Sequence, residues 1–248
     1  MSNVLKGFYV FSSTRSAFDR GAEVVIHKGG TGSGKTYQIM MYLIFDAAVQ
    51  KKCIITVVSE SKPHLDIGAI RIAKELMNVS GWVSQVTYNE TKSFFTFPNG
   101  SILEFFSADR IDKALGARRD YLYGNEINSL KLSVWDELAR RSTNIVGDFN
   151  PTAEFWLEDW MRFYPGCEVF RSNYLNNPAL PERERARIEL RASLDANFRR
   201  VHIDCEYGTS EGLVYPNFEI IDEFPLTLPD VVVYGLDWGY VNDPTVLL

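Results

Sequence analysis

Val24-Val25-Ile26-His27-Lys28-Gly29-Gly30-Thr31-Gly32-Ser33-Gly34-Lys35-Thr36 is the stretch that decides the fold. Val24–His27 reads as a buried strand that runs into a glycine-rich turn. Thr36–Val49 then shows the apolar spacing of a helix, through Ile39, Tyr42, Leu43, Phe45 and Ala47. Between them, Gly29–Thr36 satisfies G-x-x-x-x-G-K-[ST] in the strand–turn–helix setting that this motif requires. Glycines let the backbone N–H groups curl inward around a phosphate, and the helix N-terminus adds partial positive charge. Lys35 can reach the β- and γ-phosphate oxygens, and the Thr36 hydroxyl can ligate Mg²⁺. The loop residues Gly29, Gly30, Thr31, Gly32, Ser33, Gly34, Lys35 and Thr36 are therefore expected to bind ATP with Mg²⁺. A glycine-rich turn with a chance Lys-Thr is the plainer reading, and the flanking pattern argues against it.

Outward from the loop, short apolar runs alternate with helical patterns. Cys53–Val58, Asp120–Tyr123, Thr143–Asp148 and Glu168–Phe170 read as strands, and Ile67–Val79 and Ser133–Arg141 as helices. Gln85–Tyr88 and Lys92–Phe97 also look like strands, the latter turning through Pro98-Asn99-Gly100 into Ser101–Phe106 as a hairpin. This alternation predicts an α/β fold, a mostly parallel sheet with helices on both faces. Pro178–Pro181 breaks the pattern, and Glu182–Asn197 follows as a highly charged helix. From Glu211 onward the chain reads as strands and turns, at Gly212–Tyr215, Phe218–Glu223 and Val231–Asp237. The expected division is an ATPase domain over 1–210 and the incomplete start of a second domain over 211–248.

The composition of the 248 residues is that of a globular chain, 46% hydrophobic and 23% charged, which excludes disordered and collagen-like classes. The net charge of −6 excludes a global basic coat, though not a local basic patch. Cys53, Cys167 and Cys205 are odd in number and widely spaced, so neither a disulfide frame nor a zinc site is expected. No apolar stretch approaches membrane-spanning length, and the first residues lack a signal-peptide pattern.

An ATPase of this kind needs an acid in the Mg²⁺ shell and another to orient the attacking water, at the C-terminal ends of strands beside the loop. Asn125-Glu126 ends the Asp120–Tyr123 strand. Glu126 is the expected general base, and Asp148, ending the next strand, is its competitor. Asn125 stands where an Asp is usual; its carbonyl could still accept from a metal-bound water, with weaker Mg²⁺ affinity expected. Arg118 and Arg119 precede this strand and are the leading candidates to meet the γ-phosphate, with Arg15, Arg140 and Arg141 as alternatives. Asn150, in Gly147-Asp148-Phe149-Asn150-Pro151, could sense the γ-phosphate or simply form the turn. Six arginines against four acids mark Pro181–Arg200. That segment reads as a non-specific DNA contact, a solvated helix laced by Glu–Arg pairs, or a lid over the nucleotide. Phe94, Phe95, Phe97, Phe105 and Phe106 read as sheet packing rather than a base-stacking platform.

Taken in order, several motifs resemble those of the large terminase subunit of tailed bacteriophages. They are the GGxGSGKT loop, the Asn99-Gly100-Ser101 turn, Lys113-Ala114-Leu115-Gly116-Ala117-Arg118-Arg119-Asp120-Tyr121-Leu122-Tyr123-Gly124-Asn125-Glu126, Asp148-Phe149-Asn150-Pro151, Asn176-Asn177-Pro178 and Gly235-Leu236-Asp237-Trp238-Gly239. The resemblance covers nearly the whole chain. It implies a RecA-related P-loop ATPase with an additional strand, joined to an RNase H-like nuclease. It also implies a motor that pumps double-stranded DNA into a procapsid and cuts concatemers. Lys35 and Thr36 match the Walker A pair, Glu126 the catalytic acid, Asn150 the coupling motif and Asp237 the first nuclease metal ligand. Thr31 stands where some members carry a loop arginine, which moves the expectation to Arg118 or Arg119, acting in cis or on a neighbouring subunit. The chain ends before the later nuclease acids, so nuclease inactivity is expected, and Asp243 is a weaker possible ligand. The implied partners are duplex DNA, the portal protein and the small terminase subunit. A homo-oligomeric ring on the procapsid and a monomer alone are implied, in the cytoplasm of the infected host. A P-loop helicase or recombinase, and a nucleotide-gated binding module with little turnover, are the alternative functions.

Overall fold

In the computed structural model, which describes residues 8–108 and 117–209 and the backbone of 236–237 and 246–247, the expected first strand is β1 (Val24–Gly29), buried along its whole length. The strands that follow are β2 (Ile54–Ser59), β3 (Thr87–Asn89), β4 (Phe94–Thr96), β5 (Ile102–Ser107), β6 (Arg119–Asn125), β7 (Ser142–Phe149) and β8 (Cys167–Ser172). They form one sheet in the order β3-β4-β5-β2-β6-β7-β1-β8. All neighbours from β5 to β8 run parallel. The β3–β4 and β4–β5 pairs at one edge are antiparallel, the second closing the predicted turn at Asn99-Gly100.

The sheet is covered on both faces, which is why its inner strands read as unbroken apolar runs rather than alternations. Val25, Ile55, Val57 and Tyr123 join one core with α1 (Tyr9–Asp19), α2 (Lys35–Tyr42) and α4 (Ala69–Val79). Val24, Ile26, Val58 and Leu122 join the other with α5 (Leu132–Ala139) and α6 (Leu157–Met161). In that second core Trp135 and Trp160 pack edge to face at 5.6 Å, an arrangement that aromatic quadrupoles favour. Phe95, Phe97 and Phe105 are buried in the first core, as expected of sheet packing.

Three local differences from the sequence reading have physical causes. Helix α2 widens into a π-helical turn over Leu43–Ala48, which apolar spacing alone does not reveal. The Ile67–Val79 pattern starts at α4, and a separate short helix, α3 (Lys62–Ile67), precedes it. Gly68 breaks the two apart with non-helical φ −103° and ψ −107°. The charged segment likewise divides, at Asp195, into α7 (Glu182–Leu194) and α8 (Ala196–His202), because the Asp195 carboxylate accepts from the Phe198 N–H and caps the second helix.

The chain separates into two compact units, Met1–Ser210 and Glu211–Leu248. Of the second, β9 (Leu236–Asp237) pairs antiparallel with β10 (Val246–Leu247). The expected strands at Gly212–Tyr215 and Phe218–Glu223 lie outside the described residues, as do the Asp237 side chain and Asp243.

Candidate nucleotide site

The loop between β1 and α2 is built by its glycines. Gly32 and Gly34 both take φ of 76°, in the left-handed region that side chains resist. Lys35 opens α2 with its amine folded back into the loop. It donates to the Gly29 carbonyl at 2.9 Å, the Gly30 carbonyl at 3.2 Å and Asn150 Oδ1 at 2.9 Å. Burial lowers the Lys35 pKa, opposed by the carboxylates of Asp148 and Glu126. One turn into α2, Gln38 ties the loop to α1: its Oε1 accepts from the Val10 and Phe11 N–H groups, satisfying donors at a helix start that has no side-chain cap of its own.

Parallel register brings the acids to this end of the sheet, since Asp148 pairs with Asn125 on one side and His27 on the other. Asp148 is fully buried. Its Oδ1 accepts from Tyr123 Oη at 2.9 Å, Asn125 Nδ2 at 3.2 Å and the Glu126 N–H at 3.2 Å, and its Oδ2 accepts from Thr36 Oγ1 at 3.3 Å. The buried carboxylate nearest the loop hydroxyl therefore comes from β7, not β6. Asn125 turns its amide nitrogen toward Asp148 and Thr36. This corrects the expectation that its carbonyl would face a metal-bound water: Asn125 acts as a donor that orients Asp148. One buried carboxylate beside one hydroxyl suits Mg²⁺, which keeps waters and takes further ligands from phosphates. Among the described residues, no group of three or more metal-binding side chains could hold an ion unaided.

Glu126 follows β6 in a left-handed conformation, φ 56° and ψ 61°. Such a backbone costs of order 1–3 kcal/mol for a non-glycine residue and persists where the surroundings over-determine it. Its carboxyl pKa is pushed up to about 7, first by burial and then by Asp148, with Lys35 opposing. Asn150 Nδ2 reaches Glu126 Oε1 at 3.4 Å while its Oδ1 accepts from Lys35. The Asn150 amide thus bridges the loop amine and the candidate base.

The segment around α7 and α8 rests on the loop. Asn177 Nδ2 donates to the Gly32 carbonyl at 2.8 Å, and the Thr31 N–H donates to His202 Nδ1 at 3.2 Å. A side chain at Gly32 would meet Ile188, and one at Gly30 would strike the His202 backbone. Of the segment's arginines, Arg185 lies near Glu182 on α7 itself, and α7 packs against the loop through Ile188. Thr31, Asn150, Arg187, Arg191, Phe198 and His202 line a cavity of about 370 Å³ at this junction, with Ile188 between the arginines.

Arg118 and Arg119 lie elsewhere. Arg119 begins β6 and Asn125 ends it, a separation of about 20 Å at strand rise. Arg119 is buried, donating to the Leu138 carbonyl at 3.2 Å and the Ala117 carbonyl at 3.0 Å. Together with Arg140 and Arg141 the pair lines a separate cavity at the other end of the sheet. Within one chain they cannot be the γ-phosphate arginines, because the strand length holds them away; only a neighbour's site is open to them. Arg15 pairs with Asp19 and Asp46. Asn177, Gln38 and His202 were not legible as loop contacts, since each reaches the loop through tertiary packing. The Asn176-Asn177-Pro178 motif was the only available signal for Asn177.

No protein-family profile and no curated protein matches the chain. Solved structures do. The large terminase of a thermophilic bacteriophage superposes with a TM-score of 0.69 at 16% identity, over 86% of this chain and 56% of that one. The same terminase in complex with ATP-gamma-S gives 0.67 at 15% identity, over 94% and 61%. The Thermus phage P74-26 large terminase ATPase domain gives 0.59 at 16% identity, over 78% and 92%. The alignment with the first of these takes in just over half of that terminase's length. At these identities the likeness is one of fold: this chain has the α/β P-loop fold of phage large terminase ATPase domains.

Proposed function

We propose that this chain is the ATP-hydrolysing motor part of a phage DNA-packaging enzyme, moving double-stranded DNA into a procapsid. The observation that carries the reading is the run Lys35–Asn150–Glu126 beneath the phosphate loop, on a fold shared with large terminases. In this reading the loop N–H groups and Lys35 bind the ATP phosphates, and Lys35 exchanges its loop carbonyls for phosphate oxygens. Thr36 and Asp148 are the residues that would hold Mg²⁺, with Asn125 and Tyr123 fixing the carboxylate. The ion supplies neutralisation of charge that develops on the phosphates. Glu126 accepts a proton from the attacking water, and a carboxyl poised near neutrality is suited to that task. Asn150, bound to both Lys35 and Glu126, links phosphate occupancy to the base.

Duplex DNA, the portal protein, the small terminase subunit and further copies in a ring are the proposed partners, and the host cytoplasm the proposed compartment. Among the described residues no helix is long and apolar enough to cross a membrane. The test is ATP-driven displacement of a triplex-forming strand from linear duplex DNA, with Glu126→Gln alongside. Displacement by the wild type and none by the variant is expected. Bound ATP without displacement would reduce the chain to a nucleotide switch, and strand separation on forked DNA would make it a helicase.

A further inference from the structure

Resting on the nucleotide reading above, we propose that Arg187 and Arg191 of α7 contact the γ-phosphate of ATP bound in the same chain. The two arginines are one helical turn apart, at i and i+4, and so share a face of α7. Both line the cavity that Thr31 of the phosphate loop and Asn150 also line. Asn150 is itself 2.9 Å from the Lys35 amine, so the cavity opens beside that amine. Ile188, between the two arginines, lies against the Gly32 position, so the arginine-bearing turn of α7 is the turn seated on the loop.

The charge in this cavity is one-sided. Its ionisable lining groups are Arg187, Arg191 and His202, and no carboxylate is among them. The cations are close enough that Lys35 and Arg191 both depress the His202 pKa, after burial, with only Asp195 opposing. Elsewhere in this segment Arg185 lies near Glu182, Arg199 near Asp204 and Arg200 near Glu206, while Arg183 is unpaired among the described residues, like Arg187, but stands outside the cavity lining. Among the described residues the Arg187 side chain has no ion pair or hydrogen bond, and Arg191 rests its guanidinium over the Phe198 ring at 4.5 Å. A cavity lined by cations without an internal anion, beside a phosphate loop, fits a phosphate. The loop N–H groups serve the inner phosphates and Lys35 the β- and γ-oxygens, and what is left for α7 is the side of the terminal phosphate next to Asn150. Arginines there would act on the charge that spreads over the γ-oxygens in the transition state.

The test compares affinities for ATP-γ-S and ADP in Arg187→Ala, Arg191→Ala and the double variant. Arg183→Ala serves as control, one turn nearer the start of α7 and not among the cavity-lining residues. Both arginines are exposed, so their removal should leave the thermal midpoint in place. The double variant should lose ATP-γ-S affinity about tenfold or more while ADP affinity stays within about twofold, and turnover should fall about a thousandfold. Lysine in place of each arginine should restore part of the ATP-γ-S affinity but little of the turnover, since it lacks the planar fork. Equal losses for ADP and ATP-γ-S, or no change in either, would overturn the inference. Lys35→Ala separates the two layers of the argument. If it abolishes binding of both nucleotides while the arginine variants keep the wild-type ratio, only the α7 inference fails. If it leaves both affinities intact, the phosphate-loop reading itself fails.

Discussion

Replacing Gly30 by alanine tests whether α8 is seated on the phosphate loop. A Cβ at Gly30 would run into the carbonyl oxygen of His202, with the His202 carbonyl carbon at 2.6 Å and its Cα at 2.7 Å. Carbon atoms pack best at about 3.5–4.0 Å, so the end of α8 must retreat by roughly an ångström. These are backbone atoms, and no rotamer change relieves them. Overpacking of this kind costs about 1–3 kcal/mol. The retreat also weakens the bond from the Thr31 N–H to His202, worth about 1 kcal/mol. Alanine returns about 0.4–1 kcal/mol by restricting the unfolded chain. The net loss is then about 1–3.5 kcal/mol, a fall in thermal midpoint of about 2–14 °C for a chain of this size. Gly166→Ala is the matched control: nothing lies within 4 Å of its would-be Cβ, so its midpoint should hold or rise slightly. The assay is thermal unfolding without nucleotide, with hydrogen exchange over residues 174–202. Faster exchange there, alongside the lowered midpoint, is expected. A Gly30→Ala protein with the wild-type midpoint and wild-type exchange would refute the packing of α8 on the loop.

Other expectations concern single groups. Glu126→Gln should bind ATP as the wild type does and lose turnover by at least about a hundredfold; a variant that still turns over while Asp148→Asn dies would move the base to Asp148. Asp148→Asn should raise the Mg²⁺ concentration needed for tight ADP binding about 10–100-fold and leave metal-free ADP binding unchanged, read by titration of a fluorescent nucleotide. His27 is buried with Nε2 at 2.7 Å from the Thr14 hydroxyl, and burial lowers its pKa to about 3. It therefore stays neutral in the folded chain while the unfolded chain protonates it near 6.5. Folding stability should fall as pH drops below that value, by about 2 kcal/mol at pH 5. Urea unfolding of wild type and His27→Gln should show this as a pH-dependent gap; a gap of constant size from pH 7 to pH 5 would contradict it.

The phosphate loop and the sheet around it were legible because their signals are local. Lys35 and Thr36 sit at fixed offsets in a motif, and Val24–His27 and Thr143–Asp148 are apolar on both faces because helices cover both. What escaped depended on which segments meet in space. Asp148 was readable as an acid at a strand end, but its place beside Thr36 follows from the β6-β7-β1 strand order, which the sequence does not state. The amide orientation of Asn125 follows from the same neighbour. Arg118 and Arg119 precede Glu126 closely in sequence, yet an extended strand converts that short separation into about 20 Å. Arg187 and Arg191 looked like any solvated arginines of a charged helix until Ile188 and Asn177 placed that helix over Gly32. Helix α1 carries no cap of its own, and its start is satisfied from Gln38, so no local start signal marks it.

The most direct test of the central claim is steady-state hydrolysis of Mg²⁺-ATP by this chain, measured beside Lys35→Ala over a range of protein concentrations. The account predicts turnover in the wild type, at least about a hundredfold less in the variant, and a specific activity set within each chain by Arg187 and Arg191. Equal turnover in the two proteins would contradict the assignment of the nucleotide to the Gly29–Thr36 loop.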